Sequence, residues 1–245
     1  MPEQIVLCGG VGLSEWLECD LPHSPFGVNA GLYGAAALAK FKAAATTFKG
    51  TFHGMGAAIP MSGTISAEGA DKVKADIDVE AGGQTFKVVN VIAGDKGWTK
   101  LPMMDTKDLS KDELAEGREN AHGQWVATLV PLVSGKGYTL APAGELLVSD
   151  KAAVGVKVSA KGRRDVTLYF DKTTFLVVRY DMVVKDDGSG REVTQESYNA
   201  EFKDVQGTKQ AAKFVVKRDG KLFLEGEVTE MTISESLGDG VFVKP

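Results

Sequence analysis

A run of ten residues in the first third of the chain alternates between charged and apolar side chains. In DKVKADIDVE, residues 71–80, every second position from Val73 onward is apolar and the remaining positions are charged. The apolar positions are Val73, Ala75, Ile77 and Val79. A period of two places these side chains on one face of a β-strand and the charged side chains on the other face. Such a strand belongs to a sheet with one face in a core and one face in water, which is typical of antiparallel sheets.

Segments of similar composition surround this run and recur through the second half of the chain. TFKGTFHGMG and PMSGTISAEG precede it and QTFKVVNVIA follows it, with glycines at residues 69, 82 and 83 in the intervening turns. Short runs rich in β-branched and aromatic residues, separated by turn signals, predict an antiparallel meander. The further predicted strands are GYTL, AVGVKVSA, RRDVTLYF, FLVVRYDMVV, TQESYNAEF, AAKFVVKRDG and KLFLEGEVTEMTI.

Two segments have helical rather than strand periodicity. The first starts near Asn29 and continues through an alanine-rich run to about Thr47. The second starts at a capping box, in which the Ser110 hydroxyl and the Glu113 carboxylate can each accept the other residue's backbone N–H. Pro131 limits its end, because the residue before a proline is pushed out of the helical region. The predicted apolar face of this second helix, which runs from about residue 111 to 130, carries Leu114, Ala121, Trp125, Thr128 and Leu132.

The predicted fold class is mainly β, within α+β. We expect a large curved antiparallel sheet or open half-barrel of about ten strands, covered by two helices. Residues 29–245 are expected to form it as a single domain. Residues 1–28 have no clear period and are interrupted by Pro22, Pro25 and Gly27, which predicts a poorly ordered N-terminal extension.

Charge and motif content argue against several functional classes. The formal net charge is −5 with acidic and basic residues interspersed, which argues against a nucleic acid partner. The histidines His23, His53 and His122 are scattered, and both cysteines lie near the N-terminus, so neither a metal site nor a disulfide framework is predicted. The sequence has no nucleophile elbow, phosphate loop or dinucleotide fingerprint. We therefore expect a protein that is not an enzyme and uses no cofactor.

The stretch VTLYFDKTTFLVVRYDM, residues 166–182, places an acid between two apolar runs, where a catalytic group could stand. No histidine, second acid or metal-ligand set is tied to Asp171 by its spacing, and the residues up to Thr174 are polar or tolerant of turns. We interpret Asp171 as the first residue of a hairpin turn, whose side chain accepts hydrogen bonds from backbone N–H groups two residues on. The carboxylates of DLSKDELAEGREN are likewise interpreted as a solvated helix face.

Aromatic side chains are the most informative set for function. Most of them suit a packed core. A strongly curved sheet with few helices inside can also enclose more apolar volume than its own side chains fill, which leaves a ligand cavity. Both alternatives stay open: a cavity for a hydrophobic ligand, or a filled core. The residues predicted to line the cavity are Phe48, Phe52, Phe86, Trp98, Trp125, Leu129 and Tyr180.

The segment MPEQIVLCGG resembles a lipid-attachment site, because a short apolar run ends at Cys8 and glycine follows. The run is far shorter than the roughly 7 to 15 apolar residues of an export signal, and Glu3 stands where a basic residue is expected. No stretch reaches the roughly 18 apolar residues of a membrane span. The expectation is a chain without a recognisable signal peptide.

The order of helix, strands, helix and strands along the chain, and especially five segments, carries a family resemblance over about residues 29–245. They are GDKGWTKL (94–101), WVATLVPL (125–132), GVKVSAKGRRDVTLYFDKTT (155–174), YNAEFKDVQGTK (198–209) and LGDGVFVKP (237–245). Together they resemble the LolA-like family of bacterial lipoprotein-sorting and lipid-binding proteins, close to its uncharacterised secreted members. Two positions depart from that pattern: Phe175 stands where such hairpins usually have a glycine, and the usual proline near Gln210 to Ala212 is missing.

The resemblance implies an open antiparallel half-barrel whose concave apolar face is covered by helices and, in the carriers, holds acyl chains during transport across the periplasm. It implies a periplasmic or cell-envelope location, a lipid or acyl chain as ligand, envelope lipoproteins as partners, and a monomer. The leading hypothesis is non-enzymatic binding or carriage of such a ligand. The alternative is a filled-core domain that binds another protein, or acts as a sensor, through a sheet edge or the helix lid. An enzyme acting on an envelope lipid or glycan is the third hypothesis.

Overall fold

The computed structural model describes residues 42–134, 136–186 and 188–245. These residues form thirteen β-strands, the α-helix α1 (Lys111–Ala127) and a 3₁₀-helix (Val130–Ser134). The strands are β1 (Ala43–Phe52), β2 (Ile59–Glu68), β3 (Lys72–Ala81), β4 (Gln84–Ala93), β5 (Lys96–Lys100), β6 (Lys107–Asp108), β7 (Tyr138–Val148), β8 (Lys151–Ala160), β9 (Val166–Asp171), β10 (Val177–Lys185), β11 (Glu192–Val205), β12 (Thr208–Arg218) and β13 (Lys221–Ser234).

All thirteen strands belong to one sheet, in the order β6-β5-β4-β3-β2-β1-β13-β12-β11-β10-β9-β8-β7. Strands that follow each other within β1–β6 and within β7–β13 pair antiparallel, and the antiparallel pair of β1 with β13 joins these two meanders. The sheet stays open, with β6 and β7 at its edges. The predicted mainly β, antiparallel architecture is confirmed. The strand count exceeds the predicted ten in part because β5 and β6, with 5 and 2 residues, are too short for alternation to stand out.

Helix α1 begins where the capping box predicts. The Ser110 hydroxyl accepts the Glu113 backbone N–H at 3.3 Å, and the Glu113 carboxylate accepts the Ser110 N–H at 2.8 Å. The helix stops earlier than predicted, because Thr128 caps it and Leu129 adopts a left-handed φ of 66°. Its buried side also differs from the predicted stripe. The buried residues of α1 are Ala121, His122, Gly123 and Val126.

The predicted first helix, from Asn29 to about Thr47, is wrong over its final residues, which belong to β1. Residues 29–41 of that prediction lie outside the described residues. Within β1, Ala45 pairs with Ser66 of β2 on one side and with Thr232 of β13 on the other. Alanine favours helices, yet pairing on both sides satisfies the strand's backbone groups and overrides local propensity. The described part of the chain contains one α-helix, and only the last residues of the other predicted helix fall within it.

The sheet curls around α1. The helix packs against β9 and β10 near one edge of the sheet and against β4 near the other. An added Cβ at Gly117 would lie 2.5 Å from Ile92 of β4, and one at Gly123 would lie 2.7 Å from Met182 of β10. Both glycines weaken an isolated helix, but here they let it approach two strands closely. We call the sheet face toward α1 the concave face and the opposite face the convex face.

The main core lies between the helical segments and the concave face of β8, β9 and β10. Val126 of α1 and Leu168 of β9 have no exposed surface, and Leu132 of the 3₁₀-helix is 2% exposed. Alternate residues of β8 and β9 point into this core, as the period of two predicts. Its other buried members are Val156, Val158, Val166, Phe170 and Val177.

A smaller core lies on the convex face, beneath the end of the chain. Ile92 faces α1, so its neighbour Val91, which is fully buried, points to the opposite face of β4. Phe242 packs there against Val89 and Val91. We call residues 235–245 the C-terminal segment, and it covers this part of the convex face.

Glu68, at the end of β2, anchors the C-terminal segment. One carboxylate oxygen accepts the Lys72 ammonium at 2.8 Å. The other accepts the Ser236 hydroxyl at 2.8 Å and the Leu237 N–H at 3.0 Å. The Lys72 ammonium, the Leu237 N–H and the Ser236 hydroxyl together lower the pKa of Glu68 from 4.5 to about 2. The C-terminal segment is therefore held by an ionised carboxylate.

Replacing Glu68 by glutamine is expected to make the free energy of unfolding less dependent on pH. Because the folded-state pKa lies below the ordinary 4.5, the ionised Glu68 stabilises the fold fully above pH 4.5, and this stabilisation is lost as pH falls toward about 2. Glu68→Gln should lower the free energy of unfolding at pH 7 by about 1–2 kcal/mol. The difference from the wild type should vanish near pH 2. Urea denaturation at pH 7 and pH 2 measures this, with the exposed Glu80→Gln as control, and equal urea midpoints at pH 7 would contradict it.

Candidate functional site

A cleft of about 530 Å³ lies where α1 and the 3₁₀-helix meet the turn between β2 and β3. Its apolar wall comes from Trp125 of α1 and from Val130 and Val133 of the 3₁₀-helix. The volume lies within the range of roughly 300–1,000 Å³ that is usual for small-molecule sites. The remaining described lining residues are Lys42, Glu68, Gly69, Asp71, Lys72 and Glu235.

A tight break after α1 positions the apolar wall. The hydroxyl of Thr128 donates to the carbonyl oxygen of Trp125 at 2.6 Å, and it accepts the N–H of Val130 at 3.3 Å. The positive φ of Leu129 turns the chain between them. As a result, Val130 and Val133 lie with Trp125 on the wall of the cleft rather than continuing along α1.

The polar wall of the cleft is acidic on balance. Three carboxylates, from Glu68, Asp71 and Glu235, face two ammonium groups, from Lys42 and Lys72. Lys72 is already paired with Glu68, and hydrogen bonding to that carboxylate raises the pKa of Lys72. The cleft thus has an apolar wall and a charged rim, the arrangement that an amphiphilic molecule can match at both of its ends.

Of the seven predicted cavity residues, Trp125 lines this cleft. Leu129 and Tyr180 pack against the main core instead. Phe48 is 4% exposed and makes an edge-to-face contact with Phe214, with the ring centroids 5.8 Å apart.

The other three predicted residues lie away from the cleft. Trp98 packs against the convex-face cluster of Val91 and Phe242. Phe52 ends β1 and contacts Phe223 edge-to-face at 5.0 Å between centroids, and Phe86 is half-buried near the start of β4. The structure therefore places one of the seven residues in the cleft. That these seven residues contact a ligand remains a prediction.

Sequence reasoning missed Val130 and Val133 as site residues. Val130 belongs to WVATLVPL, a segment that was expected to continue α1 up to Pro131, and Val133 directly follows that segment. The Thr128 cap and the left-handed backbone of Leu129 turn them to the cleft. No local signal marks this break, because leucine rarely adopts a positive φ.

The interpretation of the α1 carboxylates as solvated is wrong for Glu116 and Glu119, which are 13% and 19% exposed. Glu119 accepts the Arg163 guanidinium at 2.9 Å, and Glu116 accepts the Arg164 guanidinium at 2.9 Å. Burial raises the pKa of Glu116, but the Arg164 guanidinium and the Lys185 N–H outweigh burial and hold it below the ordinary value. The turn between β8 and β9 brings both arginines onto α1, so these ion pairs fasten the helix to the sheet.

Asp171 forms the predicted hairpin turn. Its Oδ1 accepts the N–H of Thr174 at 2.7 Å, the N–H of Thr173 at 2.9 Å and the Thr174 hydroxyl at 3.0 Å. These donors, with the Thr174 N–H foremost, hold the pKa of Asp171 below its usual value. Phe175 has a φ of 59°, the conformation for which glycine is best suited at this position. The turn interpretation of Asp171 is confirmed.

A polar cluster on the convex face was not predicted. Arg179 donates to both carboxylate oxygens of Asp181 at 2.7 Å and to Glu196 at 3.0 Å. Its guanidinium also lies over the rings of Tyr169 and Tyr198, 5.3 and 5.1 Å from their centroids. The signal in the sequence is the alternation of polar side chains in RYD (179–181) and ESY (196–198). These segments lie on β10 and β11, which become neighbours in the sheet. Because its charges are paired internally, we regard this cluster as structural.

His122 is the buried histidine of α1. Its ring stacks on that of Tyr138 with centroids 6.0 Å apart, and Nε2 lies 3.4 Å from the tyrosine hydroxyl. Burial lowers the pKa of His122. Within the described ranges, no three His, Cys, Asp or Glu side chains are grouped so that they could hold a metal ion. None of the described helices has the length and apolar character needed to cross a membrane.

Comparison with known proteins relates this chain to others through its fold. No family model matches the sequence, and no curated protein matches it. A candidate outer membrane lipoprotein-sorting protein domain from Vibrio parahaemolyticus is 10% identical, with a TM-score of 0.52 over 82% of this chain and 89% of that chain. A LolA superfamily protein from Nitrosomonas europaea is 14% identical, with a TM-score of 0.53 over 84% and 90%.

A DUF1329 family protein from Desulfovibrio piger is 13% identical, with a TM-score of 0.55 over 85% of this chain and 92% of that chain. The chain thus shares its fold with LolA superfamily structures at low sequence identity. The resemblance inferred from the sequence motifs is confirmed at the level of the fold.

Proposed function

We propose that the protein is a non-enzymatic cell-envelope protein that binds a lipid, or the acyl chain of a lipoprotein, in its half-barrel. The observation that carries this proposal is the cleft of about 530 Å³ with Trp125, Val130 and Val133 on its apolar wall. A hydrocarbon chain gains stability by leaving water for such a wall.

Apolar side chains on the concave face extend the surface available to a hydrocarbon chain. The strand register runs from Ile92 of β4 through Val73 and Ala67 to Ala44 of β1, which places this row on the concave face. In the middle of the sheet, the half-buried apolar side chains of that face include Met61, Ile65, Val228 and Met231. Burial of about ten methylenes contributes roughly 8 kcal/mol before ordering costs, the scale of a micromolar dissociation constant.

The proposed location is the periplasm or cell envelope, and the proposed partners are envelope lipoproteins, with the protein acting as a monomer. The fold shared with LolA superfamily structures and with the candidate lipoprotein-sorting domain supports this. This support concerns the fold alone, because one fold can host several functions.

A second candidate function is a filled-core interaction or sensor domain without a small-molecule ligand. The observation that favours it is the tight packing of α1 on the sheet: Gly123 leaves no room for a Cβ beside Met182, and Val126 is fully buried. In that case the cleft holds solvent, and a sheet edge or α1 contacts a partner protein. The two candidates differ in whether a hydrophobic molecule binds at Trp125.

Binding at the cleft can be measured through Trp125 emission in a protein whose Trp16 and Trp98 are replaced by Phe. We expect monolaurin to shift the emission saturably at micromolar concentrations. Val133→Glu should weaken this binding about tenfold or more, because a carboxylate in the apolar wall must lose water when the hydrocarbon chain enters.

The matched control is Val243→Glu, which introduces the same charge at a valine that is 54% exposed in the C-terminal segment. It should leave the monolaurin affinity unchanged. If monolaurin leaves the emission unaltered well above micromolar concentrations, the lipid-binding proposal fails and the filled-core domain replaces it. Equal weakening by both valine variants would remove the cleft as the binding site.

A further inference from the structure

Arg118 of α1 differs from the other half-buried arginines of the described chain. Arg163, Arg164 and Arg179 each lie within 3.0 Å of a carboxylate oxygen, and Arg218 lies 3.7 Å from one. Among the described residues, Arg118 has no hydrogen-bond partner for its Nε, and that nitrogen is shielded from solvent. A guanidinium carries only donors and stays protonated, so its nitrogen requires an acceptor when water is excluded.

The position of Arg118 relates it to the cleft. Arg118 and Trp125 are seven residues apart in α1, which places them on the same side of the helix, two turns from each other. With a rise of about 1.5 Å per residue, they are separated by roughly 10 Å along the axis. A hydrocarbon chain of moderate length spans that distance.

We propose that Arg118 binds the anionic group of the ligand, so that the ligand class is an acidic amphiphile with a carboxylate or phosphate head group. This inference rests on the proposed lipid-binding function and specifies the ligand of the same site. Arginine suits the role because its planar donors match carboxylate and phosphate oxygens, and an anion also neutralises its charge. The head group lies beside Arg118, and the hydrocarbon chain extends along α1 to Trp125.

The charges of the cleft support this orientation. The rim carries three carboxylates, Glu68, Asp71 and Glu235, against the ammonium groups of Lys42 and Lys72, and Lys72 is already paired with Glu68. An acidic head group is therefore disfavoured at the rim and is attracted to Arg118, whose Nε has no acceptor among the described residues. A ligand with a free amine would have the opposite preference and would remain at the rim.

Two probes that share one hydrocarbon chain test the inference: laurate, which is anionic at pH 7, and monolaurin, whose head group is neutral. Isothermal titration should give a laurate affinity about tenfold or more above that of monolaurin, a difference of 1.4 kcal/mol or more. Arg118→Leu should abolish this preference and leave the monolaurin affinity unchanged. Arg191→Leu, at an exposed arginine in the turn between β10 and β11, is the matched control and should keep the preference.

Thermal unfolding separates this role from a structural one. Without ligand, Arg118→Leu should have a melting temperature equal to or above the wild type, because it removes a shielded donor that has no acceptor. It should also lose the extra stabilisation that laurate gives the wild type over monolaurin. A lower melting temperature with equal weakening of both probes would make Arg118 structural and overturn the inference.

The remaining outcomes distinguish this inference from the proposed function. If the wild type binds laurate and monolaurin equally, the lipid-binding proposal stands and the role of Arg118 is overturned. If the wild type binds neither probe, the lipid-binding proposal itself fails, and this inference fails with it.

Discussion

Gly63→Ala is expected to prevent stable folding. Gly63 lies in β2, where an added Cβ would lie 2.2 Å from the Asp76 carbonyl oxygen and 2.8 Å from the Ile77 Cα. Both atoms belong to the backbone of β3, which cannot move away without breaking the ladder with β2. Overpacking costs 1–3 kcal/mol where side chains can adjust, so we expect about 3 kcal/mol or more here.

Gly50→Ala should behave in the same way, because its Cβ would lie 2.2 Å from the Glu225 carbonyl oxygen of β13. Both glycines lie in the central strands, and the absence of side chains there allows the close backbone approach that a tightly curled sheet requires. Gly240→Ala is the matched control, since no heavy atom lies within 4 Å of its added Cβ. Urea denaturation followed by circular dichroism measures all three variants. A Gly63→Ala protein with the wild-type midpoint would disprove the backbone clash.

The second large effect is expected from Leu168→Ala, which should lower the free energy of unfolding by about 3–4 kcal/mol. Leu168 of β9 has no exposed surface, and its neighbours in the main core include Val126, Leu132 and Val156. Truncation leaves a cavity between the sheet and both helical segments, which α1 cannot fill because its ion pairs with Arg163 and Arg164 hold it in place.

The control for this prediction is Leu147→Ala, at a leucine of β7 that is 68% exposed. It should change the free energy of unfolding by less than about 0.5 kcal/mol, since surface substitutions seldom do more. Denaturation midpoints at equal m-values compare the two leucine variants. Similar losses from Leu168→Ala and Leu147→Ala would mean that the main core does not lie where the structure places it.

The strands and the turn at Asp171 could be predicted from the sequence because their signals are local. The alternation of residues 71–80 and the turn donors after Asp171 depend on residues a few positions apart. Local signals could not show that the end of the first predicted helix belongs to a strand. Ala45 is helix-favouring in its own segment, and its pairing partners, Ser66 and Thr232, come from distant parts of the chain.

The candidate site depended even more on distant contacts. Trp125 was predicted as a cavity residue from its aromatic character, and it does line the cleft. Trp98 was predicted for the same reason, but the register of β5 with β4 places it on the convex face with Val91. A shift of the strand register by one residue moves a side chain from one face of the sheet to the other. Composition carries no information about which face a side chain occupies.

The sequence by itself determined the fold class, the N-terminus of α1 at Ser110 and the role of Asp171 in a hairpin turn. Each follows from the period or the hydrogen-bonding capacity of neighbouring residues. Only the tertiary structure decided which faces of the strands enclose α1, where the C-terminal segment lies, and that Glu68 and Trp125 line the same cleft. It also decided that the Nε of Arg118 has no acceptor within the described ranges, whereas Arg163 and Arg164 each pair with a carboxylate. These features arise when strands far apart in the chain pair and curl, so they exist only once the sheet has formed.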